Sequence, residues 1–274
     1  MAKPTAATPV VEETALVAQT PAAPPMTLDD FAAVAGDDGF EETSSGDYMI
    51  PRLKVLQGMS PQCTDGKPEF NENLRPGMLF NNVSEEAYSG KTGVYFIPSY
   101  YRQIGTLWDL TADRATSFRG MVDCAELASL LEHCAVDDKG NQIIQGGEYD
   151  GLGLSDTREW YGILSTTEDF TTWTPILLSL VSTQIKKSKK WLTVARNIRM
   201  NGKPVNMWSQ VYHITTAPEV YPAGTIAGTF IKHVGQVPNM EIFKEAAMFR
   251  EMVRGGTAKA VPEGDTAPMS DAPF

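Results

Sequence analysis

Cysteine is scarce in this chain. Cys63, Cys124 and Cys134 are the only three in 274 residues, an odd number without a C-x-x-C spacing, which argues against a disulfide framework and against a zinc knuckle. Reduced thiols are expected. Long apolar runs are missing as well. No stretch of about 18 apolar residues occurs, and the first residues lack a basic segment followed by an apolar one, so neither a membrane span nor a secretory signal is expected. A soluble protein of the cytoplasm is expected. Histidine is limited to His133, His213 and His233, and the HExxH, G-x-S-x-G and P-loop patterns are all absent. Cys124, His133 and Cys134 are poorly spaced for a metal and lack a fourth ligand. Asp150, Asp156, Glu159, Glu168 and Asp169 offer acids for a two-metal nuclease site, but nothing in their spacing demands one. The expectation is therefore a non-enzymatic protein with no catalytic residue, metal or cofactor.

Positive charge is also in deficit, with a net charge of −11, which at first argues against a nucleic-acid binder, since phosphate contacts need Lys and Arg. The distribution reverses that argument. Residues 1–46 hold Lys3 against eight acids, for a net −7, and residues 255–274 hold Lys259 against Glu263, Asp265 and Asp271, for a net −2. The remaining residues 47–254 are left at only −2. Within them, residues 183–203 carry Lys186, Lys187, Lys189, Lys190, Arg196, Arg199 and Lys203 and no acid. Seven cations in twenty-one residues form a local electrostatic footprint. Ile185, Leu192, Ala195 and Ile198 recur there at helical spacing, with Thr183 as the expected N-cap. Trp191 lies inside the run, equally suited to stacking on a base or to anchoring the helix to a core.

The Ala/Pro/Thr-rich, acidic residues 1–46 are expected to be disordered. Order is expected from residue 48, where 48–57 reads as a strand with Arg52 and Lys54 on one face. Residues 77–83, 94–103, 157–164, 175–182, 205–216 and 223–231 read as further strands, separated by turns such as 89–93. Residues 120–145 read as an insertion with a helix over 124–132. Asn239 caps a last helix whose Phe243, Ala246, Ala247, Phe249 and Val253 share a side, and Gly255 and Gly256 end it. The expected fold class is mainly β with peripheral helices (α+β), an elaborated OB-fold-like antiparallel Greek-key barrel over residues 47–254 with acidic tails at both ends.

The chain closes on Asp271, Ala272, Pro273 and Phe274. Phe274 offers a ring and a free carboxylate, and Asp271 a second negative charge, a combination suited to capture by a basic, apolar pocket. This ending resembles the acidic tip of bacterial and phage single-stranded DNA-binding proteins. It departs from that pattern in having one acid where several are usual and Ala272 in the place of an isoleucine. Together with the β-rich core and the basic helix, the organisation resembles phage-encoded single-stranded DNA-binding proteins, which combine an OB-fold core with a flexible C-terminal tail. The likeness is one of organisation and tip, so no DNA contacts transfer residue by residue.

The resemblance implies coating of single-stranded DNA without strong sequence preference in phage DNA replication, recombination or repair. It also implies recruitment of proteins such as a polymerase, helicase-primase or nuclease through Asp271, Ala272, Pro273 and Phe274. Candidate phosphate contacts are Lys186, Lys187, Lys189, Lys190, Arg196 and Arg199, with Arg52 and Lys54. Candidate stacking residues are Tyr100, Tyr101, Trp108 and Trp191, with Arg102 suited to either role. A homo-oligomer is compatible with this reading. The alternatives are a structural or adaptor protein of a phage and, behind it, a metal-dependent nuclease.

Overall fold

The computed structural model describes residues 49–112, 117–138, 140–221, 224–256 and 259–260. The acidic arm 1–46 and the tip 271–274 lie outside them.

The chain is mainly β, as its short alternating runs imply. It opens with β1 (Met49–Ile50) and, after Pro51, β2 (Arg52–Val55); β3 (Leu79–Asn81) and β4 (Ala87–Tyr88) form a small hairpin. β5 (Val94–Trp108) is the longest strand, and β6 (Phe118–Val122) folds back on its far end. Helix α1 (Cys124–Leu131), β7 (Cys134–Val136) and β8 (Gln142–Ile144) lead into β9 (Gly153–Ser165) and β10 (Thr174–Val181). Helix α2 (Ile185–Asn197) is followed by β11 (Arg199–Met200) and β12 (Lys203–Pro204), then by the long hairpin of β13 (Gln210–Tyr221) and β14 (Gly224–Gln236). Helix α3 (Met240–Arg254) and β15 (Lys259–Ala260) complete the order, with β15 pairing in parallel with β1.

Eleven of these strands form one sheet in the order β14-β13-β5-β9-β10-β2-β3-β4, with β6 added on β5 and the β7–β8 hairpin added on β9. Every ladder in it is antiparallel except β10 with β2. The stretch expected as an insertion is thus part of the sheet. A bulge between Pro98 and Tyr100 interrupts the β5–β9 ladder, where Pro98 has no N–H to give. Gly162 pairs with Pro98, and a Cβ there would sit 2.3 Å from the Ile97 carbonyl oxygen.

The sheet curls into a half-barrel. Its inner face buries Leu53, Phe96, Trp160, Ile176, Leu178, Tyr212 and Ile214 around Trp191 and Ala195 of α2. Its outer face is covered by α3, where Ile242 and Ala246 meet Ile97, Ile163 and Val211, and Phe249 meets Ile50, Tyr161 and Leu177. Full burial of each large side chain stabilises by about 1.5–3 kcal/mol. The caps of α3 are as expected: Asn239 Oδ1 accepts from the Ile242 N–H at 2.9 Å, and Gly256 takes a φ of 73° just past the end. The start of α2 differs. Thr183 sits inside a 3-10 turn (Ser182–Gln184), and Gln184 precedes the helix without a side-chain capping bond.

Side chains bridge β14 to the segments that follow β2 and β10. The Gln57 amide donates to the Ala227 carbonyl and accepts from the Ala227 N–H, each at 2.9 Å. Gln184 Oε1 accepts from the Thr229 N–H at 3.0 Å and from its hydroxyl at 2.8 Å. Among the described residues no helix is long and apolar enough to cross a membrane.

Candidate nucleic-acid interface

Helix α2 has two unlike faces. Ser188, Trp191 and Ala195 are buried, and Trp191 stacks on Trp160 with centroids 3.7 Å apart and planes 13° from parallel. Phe96 and Tyr212 meet the same indole edge-on, and Ser188 Oγ accepts from Trp160 Nε1 at 2.8 Å. Trp191 is 3 % exposed, so its ring belongs to the core and is not available to a base. This corrects the stacking role expected for it. The position inside a basic run did not reveal that 188, 191 and 195 form one inward face.

The opposite face exposes Lys186, Lys189, Lys190 and Arg196, and the ridge continues through exposed Arg199 and Lys203 on the β11–β12 hairpin. Arg199 Nη1 donates to the Arg196 carbonyl at 2.6 Å, which holds this side chain along the helix end. The first turn of α2 contains no acid, so Lys186 and Lys187 lie at the positive end of the helix dipole, where cations are disfavoured by about 0.3–1 kcal/mol each. The buried Trp191 face holds the helix against that cost.

Lys187 departs from the ridge. Its Nζ is 2.6 Å from Glu219 Oε1 and 4.4 Å from the Phe230 ring centre, and the hydrogen bond from Lys187 is the main reason the Glu219 carboxyl is held below its usual range. Gly228 makes room for the pair, since a Cβ there would lie 2.1 Å from Glu219 Oε2. Lys187 is therefore engaged within the fold.

Arg52 and Arg102 also pair within the fold. They lie on the outer face of the sheet and converge on Glu159, which is fully buried. Arg102 Nε is 2.6 Å from Glu159 Oε2 and its Nη2 donates to the Tyr161 hydroxyl at 2.7 Å. Arg52 is 7 % exposed, with Nη2 3.6 Å from Glu159 Oε1 and Nη1 donating to Ser179 Oγ at 2.9 Å. Burial also pushes the Tyr161 hydroxyl up, with Glu159 adding to the shift. Lys54 shares the outer face with Arg52, as expected, and is half-buried. At about 3.3 Å per residue, Trp108 lies roughly 23 Å along β5 from Tyr101, edge-on to Phe118, and does not join the ridge.

Tyr100 and Tyr101 do join it. With Ser99, Leu192, Ala195, Arg196, Met207, Trp208 and Arg250 they line a cleft of about 320 Å³. Tyr101 also accepts a hydrogen bond from Arg158 Nη1 at 3.0 Å and tilts against Trp160. Arg250 lies 4.9 Å from the Trp208 ring centre and pairs with Glu251. Sequence reasoning missed Ser99, Trp208 and Arg250. The available signal was Pro98, whose presence inside a long strand marks a bulge; Trp208 and Arg250 carried none.

The acids are dispersed. Asp156 pairs with Arg158, Glu159 with the two arginines, Asp150 accepts from the Gly146 N–H, and Asp169 accepts from Thr167 and Thr171. Among the described residues no three His, Cys, Asp or Glu side chains gather into a group that could hold a metal ion.

Residues 17–259 match the model of one protein family, described as Pam3 phage gp34-like protein. Neither the curated proteins nor the solved structures contain a match.

Proposed function

The chain belongs to the Pam3 phage gp34-like protein family and is thus a phage protein, and from that premise we propose that it coats single-stranded DNA during phage DNA replication or recombination. The carrying observation is the ridge of Lys186, Lys189, Lys190, Arg196, Arg199 and Lys203, six exposed cations with no acid between residues 183 and 203. The ridge runs into the cleft walled by Tyr100 and Tyr101 through Arg196, which belongs to both.

In this reading phosphates track the ridge and unstacked bases meet the tyrosines. Each base stacked on an aromatic ring contributes about 1–3 kcal/mol with little regard to sequence. A duplex keeps its bases stacked and offers only its phosphates, so single strands are preferred. The curled sheet serves as an OB-type barrel with its α2 side toward the strand. Partner recruitment falls to Asp271, Ala272, Pro273 and Phe274, and the acidic C-terminal tail competes with DNA for the ridge.

Fluorescence anisotropy with labelled dT and mixed-sequence single strands, against matched duplex at several salt concentrations, tests the proposal. Six phosphate contacts give a log–log salt slope of roughly −4, at about 0.7 per contact on a single strand. Tight, salt-sensitive and sequence-tolerant binding to single strands is expected. No binding even at low salt overturns the proposal in favour of a structural or adaptor role.

A further inference from the structure

We propose that the outer face of the β13–β14 hairpin is a second station for the bound strand, where Phe230 stacks a base and Lys232 meets a phosphate; this rests on the strand-binding reading above. Charge directs a polyanion there. Residues 170–240 hold eight Lys and Arg, the six of the ridge with Lys187 and Lys232, against Glu219 as their one acid, in a chain of net charge −11. Lys187 takes that acid, with Nζ 2.6 Å from Glu219 Oε1. The positive potential of the ridge therefore continues onto the hairpin.

The hairpin turns one face to the core and leaves the other open. Ile214 and Ile231 are ladder partners that pack on the Trp191 side, so strand alternation puts His213, Thr215, Phe230 and Lys232 on the opposite, outer face. Helix α3 covers that face at Val211 but not at Phe230, which is 46 % exposed, nor at Lys232, which is exposed as well. The ring is thus within reach of a ligand. Lys187 joins it to the ridge helix, with Nζ 4.4 Å from the ring centre, and the cation held there favours the ring electrostatically. Beside it Lys232 stands opposite His213, which stacks on Tyr95 with centroids 4.8 Å apart. A patch that docks a protein gathers apolar side chains at its centre. Phe230 instead has Thr215 opposite and Gly228 and Lys232 two residues away on its own strand, a lone ring among small and cationic residues, which suits the face of a base and the phosphate next to it. At 1.5 Å per residue, Lys187 and Arg196 lie about 14 Å apart along α2. Phe230 and the Tyr100–Tyr101 cleft therefore sit at opposite ends of the ridge and serve different bases of one strand.

The experiment measures a dT oligomer and an abasic oligomer of the same length by anisotropy on the full chain, Phe230→Ala and Phe230→Trp, and photocrosslinks an iodouracil-substituted strand to the unmodified chain. Phe230→Ala should weaken dT binding about tenfold, the size of one lost base stack, without the same loss for the abasic strand. Phe230→Trp should restore dT binding, because the indole supplies a ring of its own. Lys232→Ala should lower the salt slope by about 0.7. The crosslinked peptide should contain Phe230. Should Phe230→Ala melt early, the crosslink decides, and a crosslinked peptide without Phe230 overturns the station. Native dT affinity in a folded Phe230→Ala overturns the station while the ridge stands, and so does an equal loss for both strands. Unchanged strand binding joined to a loss of self-association overturns it in favour of an interface between copies. Binding of neither strand by the full chain overturns the strand-coating reading itself.

Discussion

The molecule gathers arginine and lysine in two places and uses them in opposite ways. On the outer face of the sheet, Arg52 and Arg102 converge from different strands on the fully buried Glu159. On α2, Lys186, Lys189 and Lys190 stand exposed, with no acid in the surrounding run. The first cluster sets two arginines on one carboxylate, so most of its charge is paired, and its ion pairs tie β2, β5 and β9 together. The second is supported by a tryptophan face and leaves its charge exposed. Residue type does not separate the two. Depth and the presence of a carboxylate do.

Removing one partner from the buried cluster is the severest way to break this contrast. Glu159→Leu leaves two arginines without their acid and should cost about 3–5 kcal/mol, read as a lower urea midpoint. The triple variant Arg52→Met, Arg102→Met and Glu159→Leu should recover most of that loss, because an apolar core of similar volume needs no ion pair. Replacing Lys186, Lys189 and Lys190 together by alanine should do the reverse: stability stays within about 0.5 kcal/mol per site, whereas the salt slope for single strands falls by about 2. A triple variant that unfolds, or that keeps the full slope, would erase the distinction between the clusters.

The smallest effect concerns Lys187, which sits on the ridge helix but behaves like the buried arginines. Its hydrogen bond lowers the Glu219 carboxyl below the ordinary value of 4.5. A depressed carboxylate stabilises above its unfolded value and loses that contribution as pH falls through the folded one. Melting temperature should therefore decline slightly more steeply below about pH 4.5 in the native chain than in Lys187→Ala, by less than about 1 kcal/mol for a pair near the surface.

Much of the fold was legible because it depends on local pattern. The strands over 94–103 and 175–182, the Asn239 cap and the basic helix all follow from periodicity and from turn residues. Trp191 was ambiguous for a physical reason: a helix presents a different face every residue, and one tryptophan among lysines does not declare which face is inward. Glu159 was harder still. Its partners at 52 and 102 meet it only after three strands align, and a lone acid in sequence looks the same whether it is solvated or buried. Ser99, Trp208 and Arg250 likewise share a wall only in three dimensions.

The Gln57 amide occupies both outward backbone groups of Ala227, and the Gln184 side-chain oxygen takes the N–H of Thr229, on β14. A strand at the end of a sheet with those groups bare is a template on which another chain can lay down a strand, the first step of edge-to-edge aggregation. Two glutamine side chains fill that template from within the molecule, so this stretch of the sheet ends without an invitation to a neighbour.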